Sequence, residues 1–171
     1  MVAHPECVGL FLCFTSKKLM WVIKENGQSW NGEYFRSILS ESVLPFLRDE
    51  ESVIDPSQVT FLHDKAPCFK ASATQQMLKS EGIDFFDTTE WPGNSPDLNP
   101  CENVGAIIKD RVEARLHRIR DGLPIRRQLD TALHAVLHEM ENDRELFEKL
   151  LRSFPDRLAA VKAAKGGHTD F

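Results

Sequence analysis

The sequence predicts an α/β domain in which a mixed sheet is flanked by helices and a helical tail closes the chain. Residues 7–14, CVGLFLCF, and 19–23, LMWVI, are apolar runs separated by the polar Thr15-Ser16-Lys17-Lys18, the pattern of an antiparallel hairpin. Residues 59–86 place helix formers between two short apolar runs, the pattern of a parallel strand–helix–strand unit. Beyond Asn99, apolar residues recur at helical spacing over most of the chain. With 171 residues, 42% hydrophobic and 27% charged, the chain suits one ordinary globular domain.

In order, Asn26-Gly27 ends the hairpin and Asn31 is placed to cap a helix of about 32–48. Phe35, Ile38, Leu39, Val43, Phe46 and Leu47 form its apolar stripe, and Pro45 is expected to kink or shorten it. Residues 59–63 read as a short buried strand, followed by a helix over Lys70–Glu81 that stops at Gly82. Ala73, Met77 and Leu78 should face the sheet, and Ile83 to Phe86 form the next strand. Trp91 to Asp97 is loop chemistry. A helix then opens at Asn99 with Pro100 in its first position. Val104, Ile107, Ile108, Val112, Leu116 and Ile119 share one stripe of it; Glu102, Gly105, Ala106 and Lys109 share another.

The tail carries two more apolar stripes. Leu129, Leu133, Val136, Leu137 and Met140 make the first, and Leu146, Phe147, Leu150, Leu151 and Phe154 the second, with Pro155 close behind. Lys162 to Phe171 is expected to fray. The reading divides the chain into a core, 1–121, and a helical extension of the same domain, 122–171. His134 and His138 have the i, i+4 spacing of a metal pair, but no third ligand accompanies them.

Charge excludes some functions and localises others. The net charge of −5 is a poor global match for nucleic acid. Residues 109–127, however, hold seven cations (Lys109, Arg111, Arg115, Arg118, Arg120, Arg126, Arg127) against three anions. They suit phosphate contact or, equally, a solvated helix face with intrahelical pairs. Cys7, Cys13, Cys68 and Cys101 form no CxxC pair, so they read as reduced thiols in an intracellular protein. No apolar run is long enough to span a membrane, and the N-terminus lacks a signal-peptide pattern. The expected compartment is the nucleus, with the cytoplasm as alternative.

Two carboxylates stand at element boundaries with 37 residues between them. Asp64 follows a strand, where ligand sites of α/β sheets gather, though an acidic turn residue before Pro67 is the plainer account. Glu102 lies three residues after Asn99, which also makes a capping box. Spacing alone leaves both alternatives open.

The motifs around them carry a resemblance. Leu62-His63-Asp64-Lys65-Ala66-Pro67-Cys68-Phe69 is similar to the QQDNAPCH motif of mariner-type transposases, and Trp91 to Asn103, WPGNSPDLNPCEN, matches their W-P-x-x-S-P-D-L-N-P-x-E-N motif almost throughout. The resemblance spans roughly residues 7–120 and implies a DDE transposase catalytic domain with a ribonuclease H-like fold. It further implies that Asp64 and Glu102 are the second and third catalytic carboxylates. They would hold two Mg²⁺ or Mn²⁺ ions for phosphodiester cleavage and strand transfer on transposon-end DNA. Lys65, Lys109, Arg111, Arg115 and Arg118 would then contact DNA, and a homodimer is the expected assembly. The two carboxylates should approach within reach of a shared two-ion site.

Several positions depart from that pattern. Lys65 stands for Asn, Phe69 for His, Val104 for Leu and Gly105 for Trp. The family's first aspartate, on an upstream strand, has no counterpart: none of Glu6, Glu25, Glu33, Glu41, Asp49, Glu50, Glu51 or Asp55 ends a suitable strand. A helix-turn-helix region is not present either. The expectation is a catalytic-domain fragment inactive alone, with a non-catalytic DNA- or protein-binding remnant as the alternative. Another nuclease of the same fold is disfavoured by the specificity of the second motif.

Overall fold

The computed structural model describes residues 7–24, 27–64, 66–87, 89–90, 95–118, 122, 124–165, 167 and 169. The hairpin forms as expected: β1 (Leu10–Phe14) pairs antiparallel with β2 (Leu19–Ile23), Leu12 opposite Trp21. Both of its faces are covered, which explains an apolar run without alternation. Leu10, Leu12, Phe14 and Trp21 pack on a cluster with Val104, Ile108, Val136, Leu137 and Phe147. Phe11, Cys13, Met20 and Val22 pack on the opposite cluster, with Phe35, Leu39, Val43, Phe61, Phe69 and Leu78. The result is a layered α/β/α arrangement.

The helix expected over 32–48 is continuous but has three parts: α1 (Gly32–Ile38), a π-helical turn (Leu39–Val43) and α2 (Leu44–Arg48). Asn31 caps it, its side chain accepting from Tyr34 N–H at 2.8 Å. The π turn ends just before Pro45, which has no N–H to donate, so the ladder is re-spaced there rather than broken.

The second strand pair is shorter than the sequence suggested. β3 is Thr60–Phe61 rather than 59–63, parallel to β4 (Asp84–Phe85). Between them lie α3 (Pro67–Lys70) and α4 (Ser72–Ser80) instead of one helix from Lys70. Ala71, extended at ψ 129°, separates the two and resets the helical phase. Thr74 and Leu78 are therefore the buried positions of α4, whereas Ala73 is exposed. Gly82, at φ +67°, ends the segment as a left-handed stop. The sheet consists of two separate pairs, β1–β2 and β3–β4, among the described residues.

α5 (Pro100–Leu116) and α6 (Ile125–Met140) pack together across the β1–β2 face. Ile119, Arg120, Asp121 and the 121/122 division lie at or beside positions outside the described residues. α7 (Arg144–Arg152) inserts Phe147 into the core, and Phe14 meets it at 5.5 Å between ring centroids. Pro155 begins a helix rather than ending one: α8 (Phe154–Ala164) carries it in the first turn, where its absent N–H costs nothing. α8 reaches Ala164, two residues beyond Lys162, and of the segment expected to fray residues 166, 168, 170 and 171 lie outside the described residues. Thr169 is also tied down, its hydroxyl donating to Asp97 Oδ2 at 2.8 Å.

Candidate active site

Strand β3 delivers Leu62, His63 and Asp64 to its carboxyl end. His63 is buried and stacked flat on Phe69, with ring centroids 4.4 Å apart. Its Nδ1 lies 2.6 Å from the Asp64 carbonyl, so that nitrogen is the donor in the neutral ring. Burial holds the imidazole below its ordinary pKa. This contact fixes the backbone at Asp64, whose own side chain is exposed and accepts one N–H, from Ala66, at 3.0 Å. The acidic turn role is therefore real, and it leaves carboxylate lone pairs unused.

Glu102 enters from the start of α5. Asn99 Oδ1 accepts from Cys101 N–H at 3.1 Å, while Asn99 N–H donates to Pro96 O at 2.9 Å. The latter bond occupies the donor that a capping-box glutamate would take, so the box is only half made. Glu102 is exposed, and no described residue engages its carboxylate in a hydrogen bond or ion pair.

Both carboxylates line one cavity of about 750 Å³, together with Asn99, Cys101, Gly105 and residues of β1 and β3. Cys101 registers both charges: burial first, then Glu102 and Asp64, push its thiol up to about 12. Burial and Cys101 raise Cys13 as well, and burial with Asp64 raises Cys68. The exposed carboxylates of Asp64 and Glu102 are hard oxygen donors lining the cavity. That donor chemistry suits Mg²⁺ or Mn²⁺ and disfavours softer ions. Among the described residues, no three His, Cys, Asp or Glu side chains are disposed to hold an ion together.

The five expected DNA-contacting cations do not form one group. Lys65 lies outside the described residues, as do Trp91 to Asn94 of the second motif. Lys109, two turns beyond Glu102, shares its helix face. Arg111, Arg115 and Arg118 lie on the opposite side and line a separate groove of about 450 Å³ between α5 and α6. Arg115 is held there by an ion pair with Glu139. A 3.6-residue period separates positions 109 and 111 by more than half a turn, which a charge count along the chain does not register. His134 and His138 pair with Asp130 and Glu141, each at 3.8 Å, and Trp21 packs edge-on to His138.

Arg157 was not singled out by sequence. Only 3% exposed, it donates to Asp97 O at 2.9 Å, Asn103 Oδ1 at 2.8 Å and Ser153 Oγ at 2.8 Å. It thereby ties α8 to the segment that presents Glu102. Its sequence signal is slight, an arginine three residues after Phe154 on a helix of otherwise mixed pattern.

The family profile described as DDE superfamily endonuclease matches residues 14–123. The chain belongs to this family. It is 25% identical over 158 residues to the Transposable element Tc3 transposase of Caenorhabditis elegans, covering 92% of this chain and 44% of that protein. It thus spans under half the length of that curated relative. The Mos1 transposase catalytic domain solved with raltegravir and Mg superimposes with TM-score 0.73 at 18% identity, over 95% of this chain and 77% of that one. A Mos1 transposase paired-end complex with left transposon end gives TM-score 0.67 at 19% identity, over 96% and 46%. The fold is accordingly ribonuclease H-like, and it matches that of the Mos1 transposase catalytic domain.

Proposed function

We propose that this DDE-family domain acts on DNA phosphodiesters and that Asp64 and Glu102 are two of its catalytic carboxylates. The observation that carries the reading is their joint opening onto one cavity with unused oxygens, Glu102 released from its capping role by the Asn99–Pro96 bond. Mg²⁺ or Mn²⁺ held by these oxygens would activate the attacking water or 3′-hydroxyl and stabilise the leaving oxygen. The chain's own contribution is positional. His63 and the Ala66 N–H fix Asp64 at the strand end, and Asn99 with Arg157 fixes the helix start that carries Glu102. Lys109, on the Glu102 face, is oriented to meet a phosphate backbone.

Transposon-end DNA is the proposed substrate, supported by the relative solved in a paired-end complex with a left transposon end. A homodimer and a nuclear location follow as proposals from that substrate. The absence of a three-ligand group among the described residues favours a further proposal, that residues 1–171 do not cleave DNA unaided. A non-catalytic DNA- or protein-binding role for the chain is the second reading, favoured by the same observation.

The experiment is Mn²⁺ binding by calorimetry beside a supercoiled-plasmid nicking assay, for the wild type, Asp64→Asn and Glu102→Gln. Both substitutions are exposed and isosteric and should change stability by no more than about 0.5 kcal/mol. Weak Mn²⁺ binding lost in both variants, without nicking, is the expected result. Nicking by the wild type that disappears in both would overturn the inactivity of this chain alone. Metal binding unchanged in both variants would overturn the assignment of the site.

A further inference from the structure

The groove of about 450 Å³ between α5 and α6 is turned away from the carboxylate cavity, since Arg111 stands half a turn out of phase with Glu102 at roughly 3.6 residues per turn. Among the described residues, only α5, the turn after it and α6 line this groove. Its apolar lining is Ala114, Ala132 and Ala135, small enough to let another chain approach closely. The remaining lining is mostly charged. Arg115 Nη2 donates to both carboxylate oxygens of Glu139, so the groove itself displays how its arginines take a carboxylate. Arg111 and Arg118, about one turn to either side of Arg115, meet no hydrogen-bond or ion-pair partner among the described residues. Three guanidiniums thus face one carboxylate, on a chain whose net charge is −5. Two unpaired arginines around an alanine-lined groove are complementary to an acidic surface with small side chains at its centre.

We propose that this groove docks an acidic helical segment of a partner protein, with one carboxylate for Arg111 and a second, two turns away, for Arg118. Positions i and i+7 of a helix share a face and lie about 10 Å apart, the same spacing that separates the two arginines along α5. Small side chains at i+3 and i+4 would rest on Ala114, Ala132 and Ala135, as a helix laid in a groove does. A third acid at i+4 would oppose Glu139, so the groove selects a pair of acids rather than a continuous acidic run. That selection also favours polypeptide over DNA. A phosphate backbone brings unbroken negative charge past Glu139 and no small apolar groups for the alanines. The inference rests on the α5–α6 groove and stands apart from the roles of Asp64 and Glu102. Its binding probe needs no metal.

The test is fluorescence polarisation on the full 171-residue chain. The probe is a labelled synthetic peptide of alanine and glutamine, held helical by a hydrocarbon staple on its far face, with glutamates at i and i+7. Its twin has the same composition and staple, with the second glutamate moved to i+5 and so off the face. The probe should bind saturably below about 1 mM, and the twin at least about threefold more weakly. Arg111→Ala and Arg118→Ala should each weaken the probe about two- to fivefold. Glu139→Gln should tighten it, by freeing Arg115 and removing the opposing charge. Arg152→Ala, which removes an exposed arginine of α7 outside the groove, should change nothing. Equal binding of probe and twin to the wild type would overturn the proposal without any variant. So would an absence of saturation, or a loss in Arg152→Ala equal to that in Arg111→Ala. Displacement of the probe by duplex DNA would overturn it by making the groove a nucleic-acid surface. A dimeric mass that Arg111→Ala abolishes would overturn it by making a second copy the occupant.

Discussion

Arg157 Nη2 on α8 donates to Asn103 Oδ1 on α5 at 2.8 Å, joining residues 54 apart in sequence beside Glu102. The same guanidinium reaches Asp97 O, so one buried fork holds both sides of the α5 start. Removing it withdraws a donor from Asp97 O, Asn103 Oδ1 and Ser153 Oγ, at a side chain that is itself buried. Arg157→Ala should cost about 3 kcal/mol in urea unfolding. Arg157→Lys should recover less than half of that, because a single ammonium cannot span the fork. A cost below about 1 kcal/mol for the alanine variant would show the clamp to be dispensable.

The tail is predicted to be integral to the fold. Phe147 is fully buried against Phe14, in a cluster that also takes Leu133, Val136, Leu137 and Met140 from α6. Phe147→Ala should lose about 3–5 kcal/mol. A chain ending at residue 121 would strip that cover from the apolar face of β1–β2 and should fail to unfold cooperatively. Calorimetry of the shortened chain, giving a sharp transition near that of the full chain, would make 122–171 an accessory instead.

Part of this was legible in the sequence. Runs such as CVGLFLCF, apolar on both faces, announce a covered strand whatever surrounds them, and the second motif fixes the start of α5 through Asn99 and Pro100. Other features are decided at a distance. The π turn before Pro45 and the break at Ala71 are local re-spacings that a 3.6-residue period averages away. Whether Glu102 caps its helix depends on Pro96 taking the Asn99 N–H first, and whether Arg115 is free depends on Glu139 across a helix pair. That β1 pairs only with β2, and β3 only with β4, among the described residues has no sequence signature, because an edge strand and a central one share the same apolar pattern.

Acid should loosen the loop at residues 49–53. Ser52 Oγ and Glu51 N–H both donate to the Asp49 carboxylate, and these bonds, the serine's first, hold its pKa below the ordinary 3.8. A lowered folded-state pKa means stability that is present above 3.8 and lost as pH falls through the folded value. Asp49→Asn should therefore melt below the wild type at neutral pH, and the gap should close on acidification below 3.8. A gap independent of pH would assign the effect to geometry rather than charge.

Gly105 invites a stabilising substitution. It lies within α5, has ordinary helical φ, and a Cβ placed there meets nothing within 4 Å. Gly105→Ala should therefore raise stability by about 0.5–1 kcal/mol, by restricting the unfolded chain and improving helix propensity. Because Gly105 lines the carboxylate cavity one turn from Glu102, the added methyl also probes the available space. Mn²⁺ affinity should be unaltered. A loss of stability would show that the backbone here needs glycine for a reason other than packing.

The split of the basic residues gives the last prediction, read from the salt dependence of binding to a DNA duplex. Lys109 shares the Glu102 face, so Lys109→Ala should reduce the slope of log K against log salt by about 1. Arg115→Ala should leave that slope nearly unchanged, since Glu139 already holds the guanidinium on the far side of α5. Glu139→Ala separates the alternatives. If the α5–α6 groove, with Arg111 and Arg118, were the DNA surface, freeing Arg115 would tighten binding and steepen the slope. If DNA runs along the carboxylate face, the same substitution would cost a little stability and leave binding as it was, which is the outcome expected here.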